Sequence, residues 1–194
     1  MKELGLIIDL NQSPIQEESA VKKSVLDFYN PLIRLLKLYK NITVSLNVPL
    51  SVLELWDKYG YASLISEIKE LYQNDRVEIL NSSPYNLPLA GLPKNIIESQ
   101  IVLNEYGIGY YLGSTQGFEG EPSIMLRDIS GFLPSYFSLD VNVLKTLDDF
   151  GYKWVAIVAS DEKKDVFEIE GVEIKVVSIS DDLNKLICPK EIPG

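Results

Sequence analysis

The strongest constraint on this chain is an alternation of two hydrophobic periods. Short apolar, β-branched runs recur at Leu4–Leu10, Ile42–Val48, Arg76–Leu80, Ile129–Leu133 and Trp154–Ala159. Between them lie stretches whose apolar residues fall three or four apart, the spacing of a helix with one buried face. Val21, Val25, Phe28 and Tyr29 form one such stripe. Leu32, Ile33, Leu36 and Tyr39 form a second, read as a separate helix with Asn30 as its cap and Pro31 at its first position. Leu53, Trp56, Leu64, Ile65, Ile68 and Leu71 carry a long helical stretch from Ser51 to about Tyr72, which Gly60 divides. Asn95–Tyr106 predicts a short amphipathic helix, and Val143, Leu144, Leu147 and Phe150 another, with Asp140 as N-cap and Gly151 as its left-handed stop.

Apolar strands separated by amphipathic helices imply an α/β protein, with a parallel sheet covered by helices. About five parallel strands are expected in a single domain over residues 1–194, followed by a C-terminal β-hairpin, Val166–Ile169 and Val172–Val177, turning at Glu170-Gly171. Ligands bind such folds at the carboxyl ends of the strands. Here that gathers Asp9–Pro14, Asn47–Pro49, Asn81–Pro88 and Leu133–Tyr136 around one mouth.

Composition narrows the chemistry. The chain of 194 residues contains no histidine, which removes Ser-His-Asp and Cys-His catalysis and histidine-ligated zinc. A net charge of −10 leaves no basic face for a phosphate backbone, so no nucleic-acid partner is expected. No apolar run reaches 18 residues, so no membrane-spanning helix is expected either. The opening apolar stretch is too short and too acid-flanked for a signal peptide, and Cys188 is the one cysteine; both suit a reducing, cytoplasmic setting. No cofactor or metal is implied.

The order of the segments resembles glycoside hydrolase family 57. That family's catalytic domain is a seven-stranded (β/α) barrel related to the polysaccharide deacetylases. Its first strand ends in a His-Gln-Pro turn, where this chain has Asn11-Gln12-Ser13-Pro14. Its second strand and helix are similar to Ile42–Tyr72. Its third strand and Tyr-x-His-Pro loop are similar to Val77–Leu80 followed by Pro84-Tyr85-Asn86-Leu87-Pro88. The helix Ile97–Asn104 matches the next family helix. The family's Gly-Phe-Trp-x-Pro-Glu strand end, then a helix and Gly-Tyr-x-Trp, resembles Gly131-Phe132-Leu133-Pro134-Ser135 followed by Leu144–Trp154. The resemblance runs from about residue 4 to 187 and implies an incomplete or seven-stranded-type (β/α) barrel.

The same comparison implies lost activity. The first-strand histidine position holds Asn11, the third-strand loop histidine is replaced around Tyr85–Leu87, and the nucleophilic glutamate position holds Ser135. The acid/base aspartate has no counterpart. Retaining glycoside hydrolysis uses two carboxyl groups about 5–5.5 Å apart, and a serine hydroxyl without a base to deprotonate it is a poor substitute. Deacetylation needs an Asp and two His around a metal, of which only an aspartate such as Asp9 is on offer.

A degenerate, catalytically inactive domain is therefore expected, binding a carbohydrate or other small ligand through Asp9, Asn11, Gln12, Asn47, Tyr85, Asn86, Ser135 and Tyr136. Asp9 and Asn11 equally suit a strand-to-helix turn, and aromatics at helical spacing such as Trp56 suit the core; Tyr110 and Tyr111 join Tyr85 and Tyr136 as candidate stacking surfaces. Two other readings stand beside this one. One is an interaction or structural subunit, with a second copy or a partner covering the open edge of the barrel. The other is an active glycosidase or glucanotransferase using displaced carboxylates, Glu119 or Glu121 of Gly117-Phe118-Glu119-Gly120-Glu121-Pro122 with Asp128. Against the last, loop glutamates are mostly solvated, and the run Asp161–Asp165 has the same plain reading.

Overall fold

The structure is a computed structural model, and it describes residues 5–113, 129–158 and 171–179. Among these residues the elements run β1 (Ile7–Asp9), α1 (Glu18–Ser24), α2 (Asn30–Leu38), β2 (Val44–Asn47), α3 (Leu50–Lys58), α4 (Ala62–Gln73), β3 (Val77–Leu80), α5 (Lys94–Leu112), β4 (Gly131–Phe132), α6 (Val141–Asp149), β5 (Trp154–Val158) and β6 (Lys175–Ile179), with helices between successive strands from β1 to β5.

All described pairings are parallel. β1 pairs β2 with Asp9 opposite Asn47, β2 pairs β3 with Asn47 opposite Leu80, and β4 pairs β5, which pairs β6. Asn81 joins the two three-stranded sheets. Its amide donates to Gly131 O (3.0 Å), its carbonyl accepts from Leu133 N (2.8 Å), and it bridges Phe132 in parallel. The strands thus follow one another in chain order across the sheet, and among the described residues they do not close into a barrel.

Strand order explains the curvature. Side chains alternate between two layers. Val44, Leu46, Val77, Ile79, Phe132 and Val155 face the helices in the main core, with Val21, Ile33, Leu53, Trp56, Ile68, Ile97, Ile101 and Leu147 packed on them. The opposite face carries a small second core of Leu80, Leu133 and Ala156. Both Ile7 of β1 and Ile179 of β6 pack against it, so the sheet curls around this face. Its floor is polar: Glu78 accepts from Ser45 Oγ and Ser130 Oγ (both 2.8 Å) and from the Trp154 indole N–H (3.3 Å). A Cβ on Gly131 would collide with the Trp154 ring and Leu80. Only glycine there lets the indole fill the interior.

Three expectations are corrected. α1 and α2 are not separate helices: one helical run crosses Val25–Tyr29 as a π-helical turn, and Tyr29 and Asn30 are both helical. Pro31 has no N–H to give to the preceding turn, and a local widening accommodates it without a break. The Asn95–Tyr106 helix extends from Lys94 to Leu112. It runs through Gly107, whose bare Cα packs on Leu50; tertiary contact outweighs the glycine's poor propensity. Finally, the second arm of the expected hairpin supplies β6, which pairs in parallel with β5. The first arm, Val166–Ile169, lies outside the described residues. The division at Gly60 and the ends at Asp140 and Gly151 are as the sequence predicts: Gly60 and Gly151 both have positive φ, and Asp140 Oδ1 accepts from Val143 N (2.9 Å).

Candidate functional site

The parallel arrangement carries four loops to the carboxyl ends of β1–β4. At the end of β1, Asp9 Oδ1 accepts from Asn47 Nδ2 (2.8 Å) on the adjacent strand and from Asn11 N (3.1 Å). Asp9 is exposed at the strand end; partial desolvation by its neighbours raises its carboxyl above the ordinary carboxylate range, and these two donors pull it back toward it. Asn11 Oδ1 in turn accepts from Asn86 Nδ2 (2.5 Å), which lies beyond β3 with φ +60°. The structure therefore brings Asp9, Asn11, Asn47 and Asn86 into one hydrogen-bonded group.

Two amide oxygens near this group have no partner. Asn47 is 3% exposed and Gln12 6%, and Asn47 Oδ1 and Gln12 Oε1 are both buried without a donor. Gln16 Oε1 and Glu105 Oε2, elsewhere in the fold, are likewise buried without a donor.

Beyond β4, Ser135 begins a 3-10 turn (Ser135–Phe137), and its hydroxyl lies 2.7 Å from that of the fully buried Ser83. The partner of Ser135 is thus another alcohol rather than a base. Tyr136 and Phe137 both adopt left-handed φ (+55° and +53°), and Tyr136 is 76% exposed. Two consecutive residues so placed cost backbone energy, of order 1–3 kcal/mol each, and such conformations cluster at binding sites. Tyr85 is exposed and donates its hydroxyl to the Glu54 carboxylate (3.0 Å). Tyr110 stands on α5, exposed, while Trp56 is core. Glu119, Glu121, Asp128, Cys188 and Asp161–Asp165 lie outside the described residues.

Sequence reasoning passed over two things. Ser83 fell within the expected mouth but was not singled out. A buried polar network behind the mouth was missed entirely. Asn81 Oδ1 accepts from Asn104 Nδ2 and Ser82 N (both 2.7 Å), Asn104 Oδ1 accepts from Leu50 N at the start of α3 (2.8 Å), and Tyr152 bonds both Asn81 and Glu105. Glu105 is buried, and desolvation pushes its carboxyl up to about 7, opposed by hydrogen bonds from Tyr152 and Asn81. The signal was present: Asn104 and Glu105 stand between Ile101 and Ile108 on the inward stripe of α5, where polar residues need partners.

This assembly can donate and accept neutral hydrogen bonds around a single carboxylate. Among the described residues no group of three or more His, Cys, Asp or Glu side chains could hold a metal ion. No helix among them is long and apolar enough to cross a membrane.

No family model matches the sequence, and no curated protein does. The fold, however, is shared with solved structures. The 4-alpha-glucanotransferase of Thermococcus litoralis superposes with a TM-score of 0.77 at 18% identity, over 97% of this chain and 30% of that one. A glycoside hydrolase family 57 branching enzyme from Thermococcus kodakaraensis, solved in complex with glucose, gives 0.64 at 13% identity, over 90% and 46%. A polysaccharide-deacetylase-type protein from Mycobacterium smegmatis gives 0.61 at 12% identity, over 92% and 59%. The chain spans about a third to three-fifths of the length of these proteins. At such identities the likeness speaks for the fold: this chain folds as the glycoside hydrolase family 57 and polysaccharide deacetylase domains do.

Proposed function

We propose that this chain binds a carbohydrate at the carboxyl ends of its strands without hydrolysing it. The observation that carries this reading is the hydrogen-bonded group of Asp9, Asn11, Asn47 and Asn86 at the strand ends, of which Asp9 and Asn11 are exposed. A sugar hydroxyl donates and accepts at once, so a polyol suits the carboxylate and amide groups that Asp9, Asn11 and Asn86 present there. Exposed Tyr85 and Tyr136 supply flat apolar faces for a sugar ring. Ser135, bonded to Ser83, contributes a hydroxyl contact and no nucleophile. The fold shared with α-glucan enzymes makes α-linked glucose oligomers the first ligands to try.

Titration calorimetry with maltooligosaccharides and, separately, N-acetylated chito-oligosaccharides tests this. Saturable binding is expected, weakened about tenfold or more in Asn47→Ala, with no new reducing ends released. Turnover abolished by Glu119→Gln or Glu121→Gln would sink the non-hydrolytic reading in favour of the displaced-carboxylate enzyme. Absence of binding by either oligomer class would remove the sugar reading.

A second reading has its own support. β1 and β6 have one strand neighbour each among the described residues, and exposed backbone edges invite pairing with another chain. A subunit role, with a partner along one of these edges, predicts binding to protein and indifference to sugar.

A further inference from the structure

Behind the strand ends lies a polar network with no exposed member. Asn81 and Asn104 are fully buried, and Tyr152 and Glu105 nearly so. Its bonds reach the stems of three of the loops that form the mouth. After β2, Leu50 N donates to Asn104 Oδ1 (2.8 Å), three residues beyond Asn47. After β3, Ser82 N donates to Asn81 Oδ1 (2.7 Å), one residue before the Ser83 that meets Ser135. After β4, Leu133 N donates to Asn81 O (2.8 Å), two residues before Ser135. Asn104 Nδ2 donates to Asn81 Oδ1 (2.7 Å), so the two asparagines act as one block.

One titratable group sets the orientation of that block. Asn81 Nδ2 donates to the Tyr152 hydroxyl (2.5 Å) and to Ile101 O (3.2 Å), and Tyr152 donates its own O–H to Glu105 Oε1. Glu105 Oε2 is buried without a partner. A neutral carboxyl sits there at modest cost, whereas a buried charge is costly unless it is fully hydrogen-bonded. Once ionised, Glu105 needs more donors than Tyr152 supplies. The amide beside it is that of Asn81, and turning this amide toward the carboxylate withdraws Oδ1 from Ser82 N and Asn104. We propose, building on the reading of the strand ends as a sugar site, that Glu105 and Asn104 are its positioning residues: neutral Glu105 keeps the asparagine block on the three loop stems, and ionisation of Glu105 releases them.

Desolvation places that ionisation near pH 7. The titratable group facing Glu105 is Tyr152, whose own proton is held by burial and by the Glu105 carboxyl. The charged side chains of the helices packed on α5 are engaged elsewhere or exposed. On α3, Glu54 and Asp57 accept from Tyr85 and Tyr111, and Lys58 lies over the Tyr59 ring. On α4, Glu67 and Glu70 pair with Lys37, and Lys69 donates to Gly113 O. On α6, Asp148 accepts from Glu173 N, Asp149 pairs with Lys94, which also meets Glu98 of α5, and Lys145 is exposed.

Two measurements on the full chain test this. In hydrogen exchange without ligand, corrected for the intrinsic pH dependence, protection of the Leu50, Ser82 and Leu133 amides should fall about tenfold from pH 6 to pH 8, while amides within β2 and β5 keep theirs. In calorimetry with maltooligosaccharides, affinity should fall about tenfold over the same range. Binding at pH 7 should also take up a proton, seen as a heat that varies with the buffer's ionisation enthalpy. Glu105→Gln keeps an acceptor for Tyr152 and should abolish all three effects; Asn104→Ala should weaken binding at both pH values. Protection and affinity indifferent to pH in the wild type would overturn the proposal. So would the same pH dependence in Glu105→Gln, or protection lost equally across the strands, which would make Glu105 a matter of global stability alone. Absence of sugar binding at either pH would overturn the sugar reading and the ligand half of this proposal with it, while the exchange result still decides whether Glu105 sets the loops.

Discussion

At the scale of single residues, the chemistry of this protein turns on polar groups that folding has isolated. Glu105 is the clearest. Its folded value near 7 lies above the ordinary 4.5, so the folded state holds a proton that the unfolded state releases. This group's contribution is therefore greatest below pH 4.5 and is lost as pH rises toward 7. A shift of that size corresponds to roughly 3 kcal/mol. Urea denaturation should show the protein losing stability between pH 5 and 8, and Glu105→Gln should flatten that fall while keeping a partner for Tyr152. Asp9, exposed and raised only by partial desolvation, acts in the same direction; a slope equally steep in Glu105→Gln would rule out Glu105 as its source. None of this was legible from residue type alone. An acid inside an apolar stripe signals a buried site, but its partners Asn81 and Tyr152 are far away in sequence.

At the scale of elements, most helix ends were legible because they rest on local chemistry. Asp140 caps α6 through Val143 N, and its other oxygen accepts from Gly91 N (2.7 Å). Asp140→Ala should cost about 1 kcal/mol or somewhat more, and Asp140→Asn less, since it keeps the cap on Val143 N and loses only the acceptor for Gly91 N, both measurable by chemical denaturation. Other ends are held from afar. Arg76 Nη2 donates to the carbonyls of Leu36, Tyr39 and Ile42 (2.9, 2.6 and 2.9 Å), closing the end of α2 from the start of β3. The first amides of α3 are met by Asn104 Oδ1 and Pro84 O. The π-helical turn before Pro31 and the extension of α5 through Gly107 belong to this second kind. Local propensity argued for a break at each, and packing overrode it.

At the scale of the whole molecule, the two three-stranded sheets are joined by the backbone of Asn81 and by the core that spans both. Their continuity predicts one cooperative transition rather than two. The two tryptophans test this, since Trp56 reports on the helices over β1–β3 and Trp154 on β5. The single-tryptophan variants Trp56→Phe and Trp154→Phe should unfold at the same urea midpoint when that midpoint is corrected for each variant's own stability by circular dichroism. Fluorescence that departs from the dichroism in either variant would mean that the halves melt separately.

The sequence by itself determined the α/β class, the parallel pairing of its strands and the absence of histidine chemistry, because hydrophobic period and side-chain inventory are properties of the chain as written. It also placed Asp9, Asn11, Asn47 and Asn86 at strand ends that a parallel sheet must bring together. Only the tertiary structure decided that these four bond one another and that Ser135 meets Ser83. It alone left Asn47 and Gln12 with unanswered oxygens, buried Glu105 beside Tyr152, and set β6 parallel to β5. These depend on which atoms lie within three ångströms across long stretches of sequence, and no local pattern encodes that distance.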